Sequence, residues 1–280
     1  MVKIIADSCS DLSPELIDKY HVDIIPLDVL IGGTNYLDGV TITTPRLFQL
    51  VSETGELPKT AAPSIDSFMQ HFNTSDEVIY ISISSRLSAS YSNAHLAKES
   101  LGKSDIHIID SLNLSTGIGL LVLTAAELAL QGARAVDIVD MIERMIPSVR
   151  TSFVIDTLDY IFKGGRCTAI EMVVGSLLKI RPVIAVRSDG TLGIQKKING
   201  SRKKALDSMI MEFACNLNVI DTRRIFITHT LCLEDALYLR GQLATITQID
   251  ETLITVAGST IASHCGPNTI GILYLEKTEA

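Results

Sequence analysis

Residues 80–93 read YISISSRLSASYSN, and their pattern decides the fold class. Val78–Ile83 is a short, β-branched apolar run of the kind that forms a buried strand. It breaks into hydroxyls at Ser82, Ser84, Ser85, Ser88 and Ser90, and Asn93–Glu99 then carries strong helix formers. The stretch reads strand, polar turn, helix. In an open α/β sheet, ligands bind at the carboxyl ends of strands, beside the N-termini of the helices that follow. Free backbone N–H groups and the helix dipole favour an anion there. Serines also cap helices, but five hydroxyls in nine residues exceed what one cap needs. The turn is expected to hold a carboxylate or another anion.

Toward the N-terminus the same alternation continues. Lys3–Ala6 is a strand, Asp7–Asp11 a turn, and Ser13-Pro14 opens a helix with a hydroxyl at N-cap and proline at N1. Asp7 and Ser8 lie at a strand's carboxyl end, although Asp7 is equally suited to closing the turn. Val22–Ile31 is read as one strand interrupted by Pro26, at an edge or a bulge. Gly32-Gly33 and Tyr36–Gly39 are turns, and Thr44-Pro45 starts a helix to about Glu53. Pro63 keeps Ala62 out of the helical region, so Leu57–Ser64 is an extended loop. Taken alone, that loop and its Thr60 read as a connector. Ser64 caps a helix to Asn73.

Toward the C-terminus, Ile106–Ile109 is a strand, and Leu120–Gln131 and Ala135–Met145 are helices. Residues 1–150 are therefore expected to form a three-layer α/β/α domain on a mainly parallel sheet. From Ser148 the pattern changes. Ile180–Val186 and Thr191–Ile198 flank Ser188-Asp189-Gly190, a tight turn that requires antiparallel pairing. Arg150–Ile155, Arg224–Thr228, Leu253–Ala257 and Thr269–Leu275 read as strands, Arg202–Leu217 and Leu233–Ala244 as helices, and Gly258–Pro267 as a polar loop. Residues 151–280 are expected to be an α+β domain with a mainly antiparallel sheet, and a ligand cleft is expected between the two domains.

The chain of 280 residues is 46% hydrophobic but only 5% aromatic and has no Trp, so its apolar material is aliphatic. A well-packed parallel sheet absorbs part of that excess, and a greasy internal cavity is the other outlet. No apolar run reaches the roughly 18 residues needed to span a bilayer; the longest, Ile118–Leu130, contains Glu127. The net charge of −8 argues against a nucleic-acid partner, which calls for a basic stripe. MVKIIADS has no signal-peptide pattern, and five dispersed cysteines suit reduced thiols, so a cytoplasmic location is expected.

Walker, G-x-S-x-G and H-E-x-x-H patterns are missing, which leaves ATP use, α/β-hydrolase chemistry and a zinc site unsupported. Asp7, Asp11, Asp38 and Asp110 could converge on a metal, but carboxylates at turns more often cap and solvate. Ser88, His264 and an aspartate could form a triad, with nothing local to support it. What is present suits an anion. Gly164-Gly165-Arg166 places a guanidinium after a flexible turn, Arg202 follows Gly200-Ser201 at a helix start, and His264 lies between small-residue turns. Taken singly, each of the three reads better as an ordinary surface or loop residue.

Taken together, the motifs resemble the DegV family, the fatty-acid-binding subunits of a bacterial fatty acid kinase system. They run in order along nearly the whole chain: ADSCSDL at 6–12, YLDG at 36–39, PKTAAPS at 58–64, ISISSRLSASYSNA at 81–94 and DS at 110–111. TLDYIFKGGR at 157–166, the arginine of SRKKA at 202 and HCGPNTIG at 264–271 complete the set. The resemblance implies an aliphatic tunnel between the two domains holding one long-chain fatty acid, the chain's only ligand, with no cofactor and no metal. Thr60 and Ser88 correspond to the hydroxyls that hold its carboxylate. Arg166, Arg202 and His264 correspond to a polar network at the mouth, and Ser8, Ala89 and Gly165 to secondary positions. An ATP-dependent fatty acid kinase is the implied partner and an acyltransferase takes the acyl-phosphate, so the chain is not itself an enzyme. Contact with a membrane is at most transient. Ala61-Ala62 and Ala89 depart from the family pattern, and chain-length preference and kinase coupling are where those departures would act. A serine-dependent acyl hydrolase or transferase, and a fatty-acid-responsive regulatory protein, are the competing readings.

Overall fold

A computed structural model describes residues 1–167 and 180–277. The chain begins β1 (Val2–Asp7), α1 (Pro14–Tyr20), β2 (Asp23–Ile25), β3 (Asp28–Ile31), β4 (Thr34–Leu37), α2 (Thr44–Thr54), β5 (Lys59–Ala61) and α3 (Ile65–Phe72). Next come β6 (Glu77–Ser82), α4 (Ser90–Leu101), β7 (Ile106–Asp110), α5 (Thr116–Leu130) and α6 (Ala135–Met145). It continues through β8 (Val149–Val154), α7 (Asp159–Gly164), β9 (Ile180–Val186), β10 (Leu192–Asn199) and α8 (Arg202–Cys215). It closes with β11 (Ile220–His229), α9 (Leu233–Ile246), β12 (Glu251–Val256), α10 (Ser259–Cys265) and β13 (Ile270–Glu276).

The first sheet is wholly parallel, in the order β2-β1-β6-β7. Its strands alternate faces with period 2. Ile4, Ala6, Ile79 and Ile81 pack toward α1, α5 and α6, whereas Ile5, Val78 and Tyr80 pack toward α3 and α4 with Phe68 and Phe72. This is the three-layer α/β/α arrangement that the strand–turn–helix reading implied. The second sheet has the order β10-β9-β8-β13-β11-β12 and is antiparallel except for the parallel pair β11 and β12. One face, with Val154, Ile225, Ile227 and Ile272, is covered by α8 and α9. The other, with Phe153, Phe226 and Leu273, faces α5.

Helix α5 is apolar all round because it is buried between the two sheets, not because it is a membrane segment. Among the described residues no helix is long and apolar enough to cross a membrane.

Four local readings differ from the structure. Tyr36-Leu37, read as part of a turn, ends strand β4 and pairs antiparallel with β3. Val22–Ile31 is not one strand: Pro26 removes a backbone donor, and the chain breaks into β2 in the parallel sheet and β3 in a separate three-stranded sheet, β4-β3-β5. The connector at 57–64 contains β5, which pairs antiparallel with β3 and places Thr60 opposite Val29. The polar loop read over Gly258–Pro267 is helix α10 with its flanks. The expected second unit, 151–280, includes 168–179 and 278–280, which lie outside the described residues.

Candidate functional site

Thr60 on β5 and His264 in the last turn of α10 meet directly, with Oγ1 2.8 Å from Nε2. Around them lies a mouth cavity lined by Thr60, Ala61, Ala62, Ser88, Ala89, Arg166, Ile261 and His264. Of the five hydroxyls in the turn after β6, Ser88 is the one on this wall. Ser82 donates to Ile83 O and Ser84 to Gly190 O, so those two secure the turn. Ser88 Oγ lies 2.9 Å from Ser90 Oγ and accepts the Ser90 N–H, at the start of α4. Arg166 donates from Nη1 to Gly164 O at 2.7 Å and remains largely exposed.

A second cavity abuts the first and shares Leu114, Arg166, Leu192, Ile261 and His264 with it. About 590 Å³ of space, open solvent included, lies between its walls. Phe153, Ile161 and Leu273 line it, together with Ser115, Thr151, Thr228, Thr230 and Thr269. Those hydroxyls are turned away into the protein. Thr151 donates to Asn113 Oδ1, Thr228 pairs with Thr116 and Thr255, Thr230 donates to Gly266 O and Thr269 to Cys265 O. The cavity wall is therefore largely apolar although five of its lining residues are polar. Ser115 holds φ 55 and ψ −148, a conformation close to glycine-only, with its hydroxyl on Asp11 Oδ2 at 2.6 Å.

Burial, and then the charge of Arg166, depress the His264 pKa to about 4, so the imidazole is neutral near pH 7. Its Nδ1 is buried without a hydrogen-bond partner among the described residues. An unpaired acceptor costs less than an unpaired N–H, which puts the proton on Nε2. Nε2–H then donates to Thr60 Oγ1, leaving the Thr60 hydroxyl proton free for a ligand in the mouth. Ser88 offers a second hydroxyl.

The other sequence-derived positions fall elsewhere. Arg202 lines neither cavity: its Nε donates to Asp235 at 2.6 Å and its Nη1 lies 3.8 Å from Asp156. Gly165 takes φ 66 to end α7. Ser8 donates to Asp38 Oδ2 at 2.9 Å and accepts from Leu27 N. Asp110 receives Ser85 N and Leu112 N, remote from the other three aspartates. Asp7 accepts from Cys9 N, Tyr80 Oη and Ile83 N, and burial lifts its pKa to about 6. No group of three or more metal-ligating side chains occurs among the described residues. The triad geometry is not formed either. Ser88 is bonded to Ser90, His264 to Thr60, and among the described residues no carboxylate meets His264 Nδ1.

Asp11 and Asp38 were read as turn residues, and the structure gives them partners more than 200 positions away. Asp38 Oδ1 accepts from Ser259 N at 2.6 Å and Oδ2 from Thr260 N at 3.1 Å, while Asp11 Oδ1 accepts from Gly258 N at 2.8 Å. Burial raises both carboxyl pKa values. The motifs ADSCSDL and YLDG held the signal, but a local reading has no means of reaching α10.

The family model described as "Uncharacterised protein, DegV family" matches residues 1–277. A DegV domain-containing protein of Caldanaerobacter subterraneus subsp. tengcongensis is 32% identical over 281 residues, 99% of each chain. Among solved structures, one described as fatty acid binding of a DegV family protein from Thermus thermophilus has a TM-score of 0.91 at 28% identity, covering 99% of each chain. The Streptococcus pneumoniae fatty acid kinase B3 protein loaded with linoleic acid has a TM-score of 0.86 at 24% identity, covering 99% of this chain and 100% of that one, a likeness of fold. With a family model matched along residues 1–277 and a relative 32% identical over 99% of each chain, the chain belongs to the DegV family.

Proposed function

We propose that this chain binds one long-chain fatty acid, tail inward in the largely apolar cavity and carboxylate at the mouth between Thr60 and Ser88. The observation that carries the reading is the wall that the two cavities share, through Leu114, Arg166, Leu192, Ile261 and His264. An apolar space abuts a wall that carries the Thr60 and Ser88 hydroxyls and one exposed guanidinium. Burying methylenes contributes roughly 0.8 kcal/mol each, so about 14 of them give a gross gain near 11 kcal/mol. Ordering the acyl chain offsets part of it. A carboxylate withdrawn from water needs donors, and neutral hydroxyls satisfy it while leaving it able to attack a phosphorus atom. Fatty acid binding described for the Thermus thermophilus relative supports the same reading.

The finer part of the proposal follows the family resemblance. The chain presents the carboxylate to an ATP-dependent kinase in the cytoplasm, Arg166 stands beside the acyl-phosphate that results, and an acyltransferase consumes it. Arg202, away from the cavities, fits the partner-facing side of that system better than the head group. The two units meeting near residue 150, with α5 between their sheets, would be the walls of the tunnel. A serine hydrolase reading lacks an acid behind His264 among the described residues.

Solvent extraction of the denatured protein followed by mass spectrometry is expected to recover one long-chain fatty acid per chain. Recovery of none, with no affinity for added oleate, overturns the proposal. Hydrolysis of acyl esters without a partner, abolished by Ser88→Ala, would replace it with the enzyme reading.

A further inference from the structure

Helix α10 has only seven residues, too few to be stable by its own hydrogen bonds. It offers no side-chain cap of its own: Gly258 stands at the N-cap position. Its leading N–H groups are instead taken by carboxylates from the other end of the chain. Gly258 N–H goes to Asp11, and Ser259 and Thr260 N–H go to the two oxygens of Asp38. Asp38 is 2% exposed and directly follows β4, in the sheet whose third strand, β5, carries Thr60. Ser8 completes its shell by donating to Oδ2. The Thr44 hydroxyl holds the incoming chain at Ala257 O, 2.5 Å away.

We propose that Asp38 is a positioning residue of the head-group site: it clamps the helix bearing His264 to the sheet bearing Thr60, and so fixes the hydrogen bond between them. Asp11 is the second jaw. The assignment rests on the fatty-acid reading for its effect on binding, but not for its effect on His264. Asp7 supplies the control. It is equally buried and carries as many hydrogen bonds, yet its partners Cys9, Tyr80 and Ile83 all lie outside α10.

In Asp38→Asn the amide keeps the shape but turns a donor toward one N–H of α10. The imidazole of His264, followed by NMR titration in ligand-free protein, is expected to move its midpoint from about 4 toward the ordinary 6.5 as the helix end loosens. Oleate affinity, measured by calorimetry, falls about tenfold, as for loss of one buried hydrogen bond. Ser8→Ala, a milder loosening, moves both readouts the same way by less, and serves if Asp38→Asn does not fold. Asp7→Asn lowers the melting temperature but leaves the His264 midpoint unchanged. A His264 midpoint that stays at its wild-type value in both Asp38→Asn and Ser8→Ala overturns the clamp, as does an equal shift in Asp7→Asn. Wild-type protein that ignores oleate, with Asp38→Asn still moving His264, sinks the fatty-acid reading and leaves the clamp standing.

Discussion

Thr60 Oγ1 and His264 Nε2 lie 2.8 Å apart although 204 residues separate them in the chain. One sits on a three-residue strand and the other on a seven-residue helix, elements that would not persist alone. The bond exists because tertiary contacts define both ends. It also sets the direction of proton donation there, from the imidazole to the Thr60 hydroxyl.

Thr60→Val tests that direction. Valine suits the strand as well as threonine does, so β5 keeps its pairing and only the hydroxyl is lost. His264 Nε2–H is then buried without an acceptor, which costs about 1–2 kcal/mol of stability. Oleate affinity is expected to fall about tenfold, read by calorimetry, with the stability loss read by urea unfolding. Unchanged affinity would remove Thr60 from the head-group site.

Two buried groups give opposite pH dependences. His264 has its pKa lowered from 6.5 to about 4 by burial, assisted by Arg166. Between those values the unfolded chain binds more protons, so this contribution is whole above pH 6.5 and is lost as pH falls to 4. Asp7 has its pKa raised from 3.8 to about 6 by burial. There the folded chain binds more protons, so its contribution is whole below pH 3.8 and is lost as pH rises to 6. The slopes largely cancel between pH 4 and 6. His264→Gln is expected to tilt the stability curve toward low pH, and Asp7→Asn toward high pH, each by up to about 3 kcal/mol across its window. Urea unfolding at several pH values checks both; parallel curves for the two variants would contradict the assignment.

The strand–helix alternation of the first half and the hairpin of the second were legible because they follow from local pattern. Ile79 and Ile81 alternate with Val78 and Tyr80 in β6, and Ser188-Asp189-Gly190 marks the turn between β9 and β10. What was not legible depends on distant partners. Helix α10 is rich in serine and threonine and looks like a loop until Asp11 and Asp38 take its leading N–H groups. The threonines of the inner wall look polar until their hydroxyls are paired behind it. Thr60, Ser88, Arg166 and His264 were singled out by motif and share one cavity wall, whereas Arg202 stands apart from it.

Leu273 is 2% exposed and closes part of the inner cavity. Leu273→Phe adds bulk there and is expected to cost about 1–3 kcal/mol through overpacking. The bound acid should shift toward shorter chains, because the tail loses room at the wall and not at the head. Mass spectrometry of acids extracted from the purified variant reads the shift, against wild-type protein from the same cells. An unchanged acyl profile would place the tail elsewhere.

Gly164→Ala separates stability from binding. A Cβ at 164 would lie 2.5 Å from His264 Nδ1, well inside contact distance, so the imidazole must swing away. The helix cannot follow as a body while Asp11 and Asp38 hold its first turn. Within α7, alanine is the better helix former by up to about 1 kcal/mol, which offsets part of the strain. The expected variant is folded, with a melting temperature close to wild type, a broken Thr60–His264 bond and oleate affinity reduced about tenfold. Calorimetry and the His264 NMR signal read the two effects separately. Full affinity with the imidazole signal displaced would mean that the carboxylate is held without His264, by Thr60 and Ser88 alone.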